Sequence, residues 1–349
     1  MTVRTATFLG IDITDRVVSF GTLEQIKEIL LAVATMFTSE HSLQVSNADG
    51  AFSSNGAHSI IRGVNWYGQL VTVSLDGVVV YTGRVRDIQL DSTGRIATII
   101  SEDVMKIPAQ APFVGTATNR NPGDVLLAIA RTALADEYID LPSFRAAGGP
   151  ARAAGATISY DWPATSPTSC MDAMQQIGAL CSISVYVSRS KLAARAFRPY
   201  QGSGAGLMFP ITDDLIRDVP SCSYDVLNFV NQVTVGYTGG LSVTVNDRES
   251  QRVSHVTRPS TLGSGTTILA YNEASARWLG NTALARSSYQ RRIVDVVVGP
   301  PMNPVDMGDR FPLTSAWFGI SAMPGEVVES HRNPDRDETT IKLAELRPA

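Results

Sequence analysis

Histidines are the side chains of this chain best suited to proton transfer near neutral pH, because their ordinary pKa lies close to it. The four of them are scattered, at His41, His58, His255 and His331. None stands in an HxxE, HExxH or HxH spacing, the spacings that bring catalytic or metal-ligating side chains together on one element. The sequence therefore favours polar surface or loop positions for these residues, and it predicts no catalytic residue and no metal site among them.

Glycine-rich motifs for nucleophiles and phosphates are absent from the sequence. No GxSxG, GxGxxG or GxxxxGK[ST] stretch occurs, so neither a nucleophile elbow nor a phosphate-binding loop is indicated. Gly202–Gly206 is rich in glycine, but it lacks a lysine and follows no strand-to-helix junction, which favours a linker. We accordingly expect no cofactor.

Clustered acids could bind calcium or cleave glycosidic bonds. Asn47, Asp49 and Gly50 resemble part of an EF-hand loop, but no glutamate stands at the closing position, so a turn is favoured. The acids at 335–338 follow an Asn-Pro pair, which indicates a turn with solvated charges, and those at 213–214 indicate the start of a helix or turn. The carboxylates of a glycosidase assemble from distant positions, so the sequence leaves such a pair open but selects none.

The three cysteines are Cys170, Cys181 and Cys222, and no CxxC spacing occurs. The first two bracket Met174 and Ile177 at helical spacing, which predicts buried free thiols rather than a disulfide or a metal site. No charged-then-apolar signal segment opens the chain, and no apolar run approaches about 20 residues. These features predict a soluble protein that is synthesised in a reducing cytoplasm.

Two adjacent aromatic residues, Trp317 and Phe318, stand in a predicted loop between strands. Gly319, Ile320 and Met323 accompany them, where an isolated subunit would normally place polar turn residues. Aromatic side chains in exposed loops favour subunit interfaces, so one interpretation is a projection that docks on a neighbouring subunit. The other is a loop that folds back on its own β-barrel. The sequence leaves both open.

Length and composition limit the class of protein. A chain of 349 residues corresponds to two or three domains of ordinary size, and an apolar fraction of 44% supports packed cores. The net charge of −4 and the pI near 5.6 indicate no basic field for nucleic acid. Wholesale disorder and a dedicated nucleic-acid-binding protein are therefore disfavoured.

Turn and helix signals divide the chain into three blocks. Asp76–Gly77 and Gly239–Gly240 predict tight hairpins inside β-rich stretches. Asn121–Pro122 and Ser166–Pro167 predict the starts of two helices, and the glycine-rich stretch 146–155 predicts a mobile loop. We predict an α+β, mainly β protein with domains at residues 1–107, 108–206 and 207–349, and a helix near Leu23, Ile26, Leu30 and Val33 in the first.

The last part of the chain has the most specific order of elements. A helix over Asn272–Ser288 leads into a strand over Arg292–Val298, and a turn ends in Met307–Asp309 before the next strand. Two paired strands, Glu326–Arg332 and Thr339–Leu346, close the chain. Three further stretches have recognisable local signals: NADGAFSS at Asn47–Ser54 ahead of several strands, the predicted helix Ser166–Leu180 with the hairpin after it, and LNFVNQVTVGY at Leu227–Tyr237, where an Asn precedes a β-strand.

In this order and spacing, the chain resembles the baseplate and tail-tip hub proteins of phages. The resemblance implies two tube-like β-barrel domains that flank a small α+β insert. It also implies that three chains form a pseudo-sixfold ring that matches a hexameric tail tube. The interface role of Trp317 and Phe318 stays a hypothesis within this resemblance.

The same resemblance implies a structural role in the virion, at the tail tip, after synthesis in the host cytoplasm. The expected partners are further copies in a homotrimer, the tail tube or a distal tail protein ring, the tape measure protein, and tail fibre or tip proteins. DNA would be met only in transit through the channel, and a mildly acidic chain suits a channel that must not grip phosphates. No membrane insertion by this chain and no enzymatic activity are expected.

Two alternatives remain open. A distal tail protein is a hexameric ring subunit with one barrel and a galectin-like domain, which two separate β-blocks disfavour. A tail-associated peptidase or glycan hydrolase would need an acid–base constellation that the sequence does not reveal, and no lysozyme-like tail is appended to this compact chain.

Overall fold

A computed structural model of the chain describes residues 2–26, 40–104, 106–188, 190–197, 208–218, 220–226, 228–263, 267–299 and 305–346. Most of its regular structure is β-strand, so the predicted mainly β class is confirmed. Among the described helices, none combines the length and the apolar character that crossing a membrane requires.

Eight strands are described before the first α-helix, and a short 3-10 helix, Thr14–Arg16, lies between the second and the third of them. Their bounds are β1 Arg4–Phe8, β2 Ile11–Asp12, β3 Val17–Ser19, β4 Leu23–Ile26, β5 Glu40–Ser46, β6 Leu70–Leu75, β7 Val78–Leu90 and β8 Ile96–Asp103. Seven of them form one antiparallel sheet in the order β2-β1-β6-β7-β8-β5-β3, here called the N-terminal sheet. Along β5, exposed and buried residues alternate, as expected for a strand with one face on a core.

The middle of the chain holds all seven described α-helices. Their bounds are α1 Lys106–Gln110, α2 Pro122–Ala133, α3 Leu141–Ala147, α4 Gly149–Ala153, α5 Cys170–Cys181, α6 Arg248–Ser254 and α7 Glu273–Ser287. Strands alternate with them: β9 Pro112–Phe113, β10 Gly115–Arg120, β11 Ile158–Trp162, β12 Thr168–Ser169, β13 Ile183–Ser188, β14 Lys191–Ala196, β15 Ser221–Asp225, β16 Gln232–Tyr237, β17 Leu241–Asn246, β18 Pro259–Leu262 and β19 Ile268–Ala270.

The central sheet has the order β10-β11-β19-β16-β17, and β18 pairs with β16. Apolar residues of α2, α5 and α7, among them Leu126, Ile177 and Leu279, join Val233 and Val235 of β16 in one core. The predicted boundary at residue 206 therefore does not coincide with a boundary between sheets, since strands from both sides of it pair here. The division into domains at residues 107 and 206 stays a prediction.

The C-terminal sheet contains β15 and four later strands: β20 Arg291–Val298, β21 Arg310–Ser315, β22 Ile320–Asn333 and β23 Glu338–Glu345. Its order is β15-β20-β23-β22-β21. Strand β4, from the N-terminal part of the chain, pairs with β22 at Glu329–Arg332. The two ends of the chain are thus joined by main-chain hydrogen bonds.

The N-terminal and C-terminal sheets share one strand order. Within the first, β3-β5-β8-β7-β6 are neighbours, and within the second, β15-β20-β23-β22-β21 are neighbours in the corresponding sequence order. Each set contains a meander of three strands whose middle strand is the longest, with 13 residues in β7 and 14 in β22. Both middle strands are also bulged against the last strand, at Val85/Asp87 and at Val327/Glu329. A five-stranded antiparallel unit therefore occurs twice in the chain.

Local turn and cap signals are found where the sequence predicts them. Gly77, Gly239 and Gly240 have positive φ in tight hairpins, as does Asp76. Asn121 caps α2, where its side chain accepts a hydrogen bond from the Gly123 N–H at 3.0 Å. The hairpin predictions and this helix start are confirmed.

Three local predictions are wrong in part. The residues 23–26 form strand β4 rather than a helix, because they pair with β22, while the rest of that predicted helix lies outside the described residues. The helix expected from Ser166 begins at Cys170, because β12 pairs with β9 ahead of it and Ser169 is the N-cap. The stretch 146–155 is mainly helical, in α3 and α4.

The cysteines agree with the prediction of free thiols. Cys170 and Cys181, at the two ends of α5, are buried and unbridged, and Cys222 is half-buried and also unbridged. Burial raises the pKa of the Cys181 thiol, which keeps it protonated. Gly202–Gly206 lies outside the described residues.

Candidate functional site

The four histidines have different environments. His41 is 2% exposed within β5, and its Nε2 lies 2.5 Å from the carbonyl oxygen of Phe20, so its predicted surface position is wrong. Burial lowers the pKa of His41 to about 4, which keeps the ring neutral. His58 and His255 are exposed, and His331 lies 2.6 Å from Glu329. Across the part of the chain that the structure describes, no three or more His, Cys, Asp or Glu side chains are grouped as a metal site would need.

The stretch that resembles part of an EF-hand is a turn, as predicted. Asn47 is buried, and its amide donates to the Ser53 hydroxyl at 2.9 Å and to the Gly94 carbonyl at 2.8 Å. Asp49 forms an ion pair with Arg16 at 2.8 Å, which lowers the pKa of Asp49 to about 2. The polar side chains of this turn are therefore committed to contacts within the protein.

The acids near residue 335 connect the two ends of the chain. The Asp335 carboxylate accepts hydrogen bonds from the Ser19 hydroxyl at 2.7 Å and from the Phe20 and Gly21 N–H groups at 3.0 and 3.3 Å. Asp337 forms an ion pair with Arg4 at 2.8 Å. Asp335 is exposed in a short turn, as predicted, and the structure adds that it and Asp337 bind residues more than 300 positions away in the chain.

The Met307–Asp309 turn also lies in a contact between distant elements, here with strands β13 and β14. Gly308 has a φ of +79°, and its N–H donates to the Val327 carbonyl at 2.9 Å. The Arg195 guanidinium of β14 donates to the Gly308 carbonyl, and the Ser188 hydroxyl of β13 donates to the Asp306 carboxylate. The β13–β14 hairpin of the central part is therefore docked on the turn that precedes β21.

The aromatic pair divides between two environments. Both residues lie in a short 3-10 helix, Ala316–Phe318, between β21 and β22. The Trp317 side chain is 56% exposed, whereas Phe318 is half-buried and packs against the core of the C-terminal sheet. Asp213 accepts a hydrogen bond from the Ala316 N–H at 2.8 Å and so anchors the loop. Of the two, Trp317 has the exposure that an interface anchor requires, and the contacts of Phe318 are those of a core residue.

Arg286 is a further candidate site residue that was not predicted from the sequence. Arg286, in the last turn of α7, is 8% exposed and lines a cleft together with Arg195, Arg291 and Glu326. In sequence it resembles an ordinary surface arginine that complements a helix C-terminus, so no local signal marks it as buried. Its burial depends on the C-terminal sheet, which covers this end of α7.

Comparison with known proteins gives matches at the level of structure. No family model matches the chain, and no curated protein matches it in sequence. A tail protein from Neisseria meningitidis has a TM-score of 0.60 at 13% identity, over 99% of this chain and 96% of that one. The 43 kDa tail protein of prophage MuSo2 from Shewanella oneidensis has a TM-score of 0.59 at 12% identity, over 99% and 98% of the two chains.

A further similar structure is the prophage tail protein gp18 from Listeria monocytogenes, with a TM-score of 0.55 at 11% identity over 99% of this chain and 95% of that one. The three proteins are thus similar in structure to this chain over nearly its whole length. Together with the strand orders, these matches show that the chain has the fold of phage tail proteins.

Proposed function

We propose that this chain is a structural protein of a phage tail, and more specifically the hub of the tail tip or baseplate. The observation that carries the proposal is the five-stranded unit that occurs twice in a chain with a phage tail protein fold. A subunit with two equivalent sheets can contribute two equivalent segments to a ring, whereas a subunit with a single such sheet contributes one segment.

The geometry of the proposed ring follows from this duplication. Three chains would present six similar sheets around one axis, which matches the sixfold symmetry of a tail tube through quasi-equivalent contacts. In such a ring the hub caps the tube and surrounds a channel for the tape measure protein and for DNA during ejection. The contacts between β4 and β22 and between Asp335 and residues 19–21 would hold the two segments of one chain at a set angle.

The partners of the proposed hub are those of a tail tip. One face would contact the tail tube or the distal tail protein ring, and the other would contact tail fibre or tip proteins. Trp317 is the candidate anchor for a neighbouring subunit, since a large exposed aromatic side chain on an anchored loop is typical of interface hot spots. The protein would be synthesised in the host cytoplasm and would act in the virion.

The oligomeric state tests the proposal most directly. Native mass spectrometry of the assembled full-length protein, or the symmetry of the ring by electron microscopy, is expected to give three copies. Six copies in the ring would favour the distal tail protein instead. A protein that remains monomeric with purified tail tubes, while a known hub assembles in parallel, would contradict both.

The enzyme alternative is tested separately. We propose that this chain itself does not cleave cell-wall polymers. Incubation of the full-length protein with purified peptidoglycan is expected to release no more soluble fragments than a buffer control. Lysozyme in the same assay provides the positive control, and release that depends on the chain would overturn this part of the proposal.

A further inference from the structure

A cleft lined by arginine side chains lies where the central part of the chain meets the C-terminal sheet. Its charged lining residues are Arg195 from β14, Arg286 from α7, Arg291 from β20 and Glu326 from β22. Apolar side chains complete the wall, among them Phe197, Val328 and Leu346. Four elements that are distant in sequence therefore converge on one small site.

Arg286 differs from the other buried arginines of the described residues. Arg291 and Arg332 have partners: Arg291 forms an ion pair with Asp225 at 3.2 Å, and Arg332 donates to the Val305 carbonyl. In the described part of the chain, no residue forms a hydrogen bond or ion pair with the Arg286 guanidinium, although it is only 8% exposed. None of its nitrogens is fully enclosed without a partner, so the guanidinium faces the cleft and can take an acceptor that enters there.

The charges around the cleft leave a positive excess. The lining holds three arginines and one glutamate, a net charge of +2. Glu326 is already paired with Arg310 at 3.1 Å, and Asp225 with Arg291, so the net charge stays the same when both of these partners are included. Both carboxylates thus already have an arginine partner. Burial is the main cause that lowers the pKa of Arg286 to about 10, the nearby Arg291 charge is the second, and Glu326 acts in the opposite direction. The cleft therefore offers hydrogen-bond donors and positive charge, which a negatively charged hydrogen-bond acceptor would complement.

We propose that this cleft binds an oxyanion, with Arg286 as the main donor. A guanidinium presents parallel N–H groups whose spacing matches two oxygens of a carboxylate or of a phosphate. The same chemistry has two possible sources, a free phosphate ion or an Asp or Glu side chain of a second copy of this chain. This proposal is independent of the proposed role in a phage tail, because its first test uses the isolated chain without other tail proteins.

The first experiment measures phosphate binding. Calorimetry and thermal unfolding of the full-length protein are compared in phosphate and in chloride at equal ionic strength and pH. The variants are Arg286→Met, which keeps the volume but removes the charge, and Arg277→Met, a matched control on the exposed face of the same helix. If the source is free phosphate, phosphate raises the Tm of the wild type and of the control. Arg286→Met weakens phosphate binding by about tenfold or more, as loss of a charge-assisted hydrogen bond should.

The second experiment addresses a carboxylate from another copy. Sedimentation in phosphate-free buffer is expected to show that Arg286→Met weakens self-association by about tenfold or more, whereas Arg277→Met does not, and that added phosphate competes with assembly of the wild type. Arg286→Lys keeps the positive charge but lacks the parallel N–H groups of a guanidinium. This variant should still fold, and its self-association should also be weaker than that of the wild type. If phosphate does not bind and neither Arg286 variant changes self-association, the proposal is overturned.

Discussion

Asp335, in the turn between β22 and β23, accepts a hydrogen bond at 3.0 Å from the backbone N–H of Phe20, which lies 315 positions earlier in the chain. The neighbouring residue 21 and the Ser19 hydroxyl donate to the same carboxylate. This contact lies beside the pairing of β4 with β22, so side-chain and main-chain bonds together join the N-terminal and C-terminal sheets. In a two-segment ring subunit, such a junction would determine the angle between the segments.

Removing the Asp335 carboxylate tests this junction. We expect Asp335→Ala to lower the free energy of unfolding by about 1–2 kcal/mol, because three donors lose a charged acceptor at a solvent-accessible site. Glu137→Ala, at an exposed position in the central part, is the control and should change stability by less than about 0.5 kcal/mol. Urea unfolding of both variants measures the difference, and equal stabilities would show that the carboxylate does not hold the junction.

The buried His41 predicts a dependence of stability on pH. Its folded-state pKa is about 4 and its ordinary value is 6.5, so between these values the unfolded chain binds more protons than the folded one. The stability contribution is therefore complete above pH 6.5 and falls by about 3 kcal/mol as the pH drops towards 4.

Replacing His41 isolates this contribution. In His41→Gln the loss of stability between pH 7 and pH 4 is expected to be smaller than in the wild type, whereas His58→Gln at an exposed position should leave the pH profile unchanged. Unfolding curves at several pH values provide the measurement. Parallel profiles for the wild type and His41→Gln would mean that other groups cause the acid sensitivity.

The aromatic loop is best tested with single variants, because Trp317 and Phe318 have different contacts. Trp317→Ser should leave the Tm nearly unchanged and weaken ring assembly by about 2 kcal/mol or more, the size typical of an interface hot spot. Phe318→Ser should lower the stability of the subunit itself by about 2 kcal/mol, since it removes apolar contacts with the core. Sedimentation and thermal unfolding separate the two effects, and unchanged assembly of Trp317→Ser would end the interface hypothesis.

A close backbone contact packs α2 against the stretch 146–155, which is mainly helical where the sequence predicted a loop. A Cβ added at Gly123 in α2 would lie 2.5 Å from the Gly148 Cα, between α3 and α4. Gly123→Ala is therefore expected to destabilise the protein by about 1–3 kcal/mol through overpacking. Gly149→Ala is the matched control, since its Cβ would meet no atom within 4 Å and alanine favours a helix. If both variants unfold at the same urea concentration, the two helices can separate without cost.

The sequence by itself determined the local elements of this protein. The hairpins at Asp76–Gly77 and Gly239–Gly240, the cap at Asn121 and the helix predicted over Asn272–Ser288 could be predicted, because their causes lie within a few residues. The order of the C-terminal elements was also sufficient to suggest the hub resemblance. The mainly β class followed from the alternation of apolar and polar residues. This alternation is visible within a single strand, so it can be recognised without knowing which distant strand pairs with it.

Only the tertiary structure decided which elements belong together. Strand β19 pairs with β11, a strand from before residue 206, and so joins β16, β17 and β18 to it in one sheet. Strand β4 is a strand because it pairs with β22, although its own residues also fit a helix. The burial of Arg286 and His41 and the engagement of Asp335 likewise depend on chain segments far away in sequence. Contacts between distant segments leave no local periodicity, so a side chain that is ordinary in sequence acquires its role only when the folded chain brings its neighbours to it.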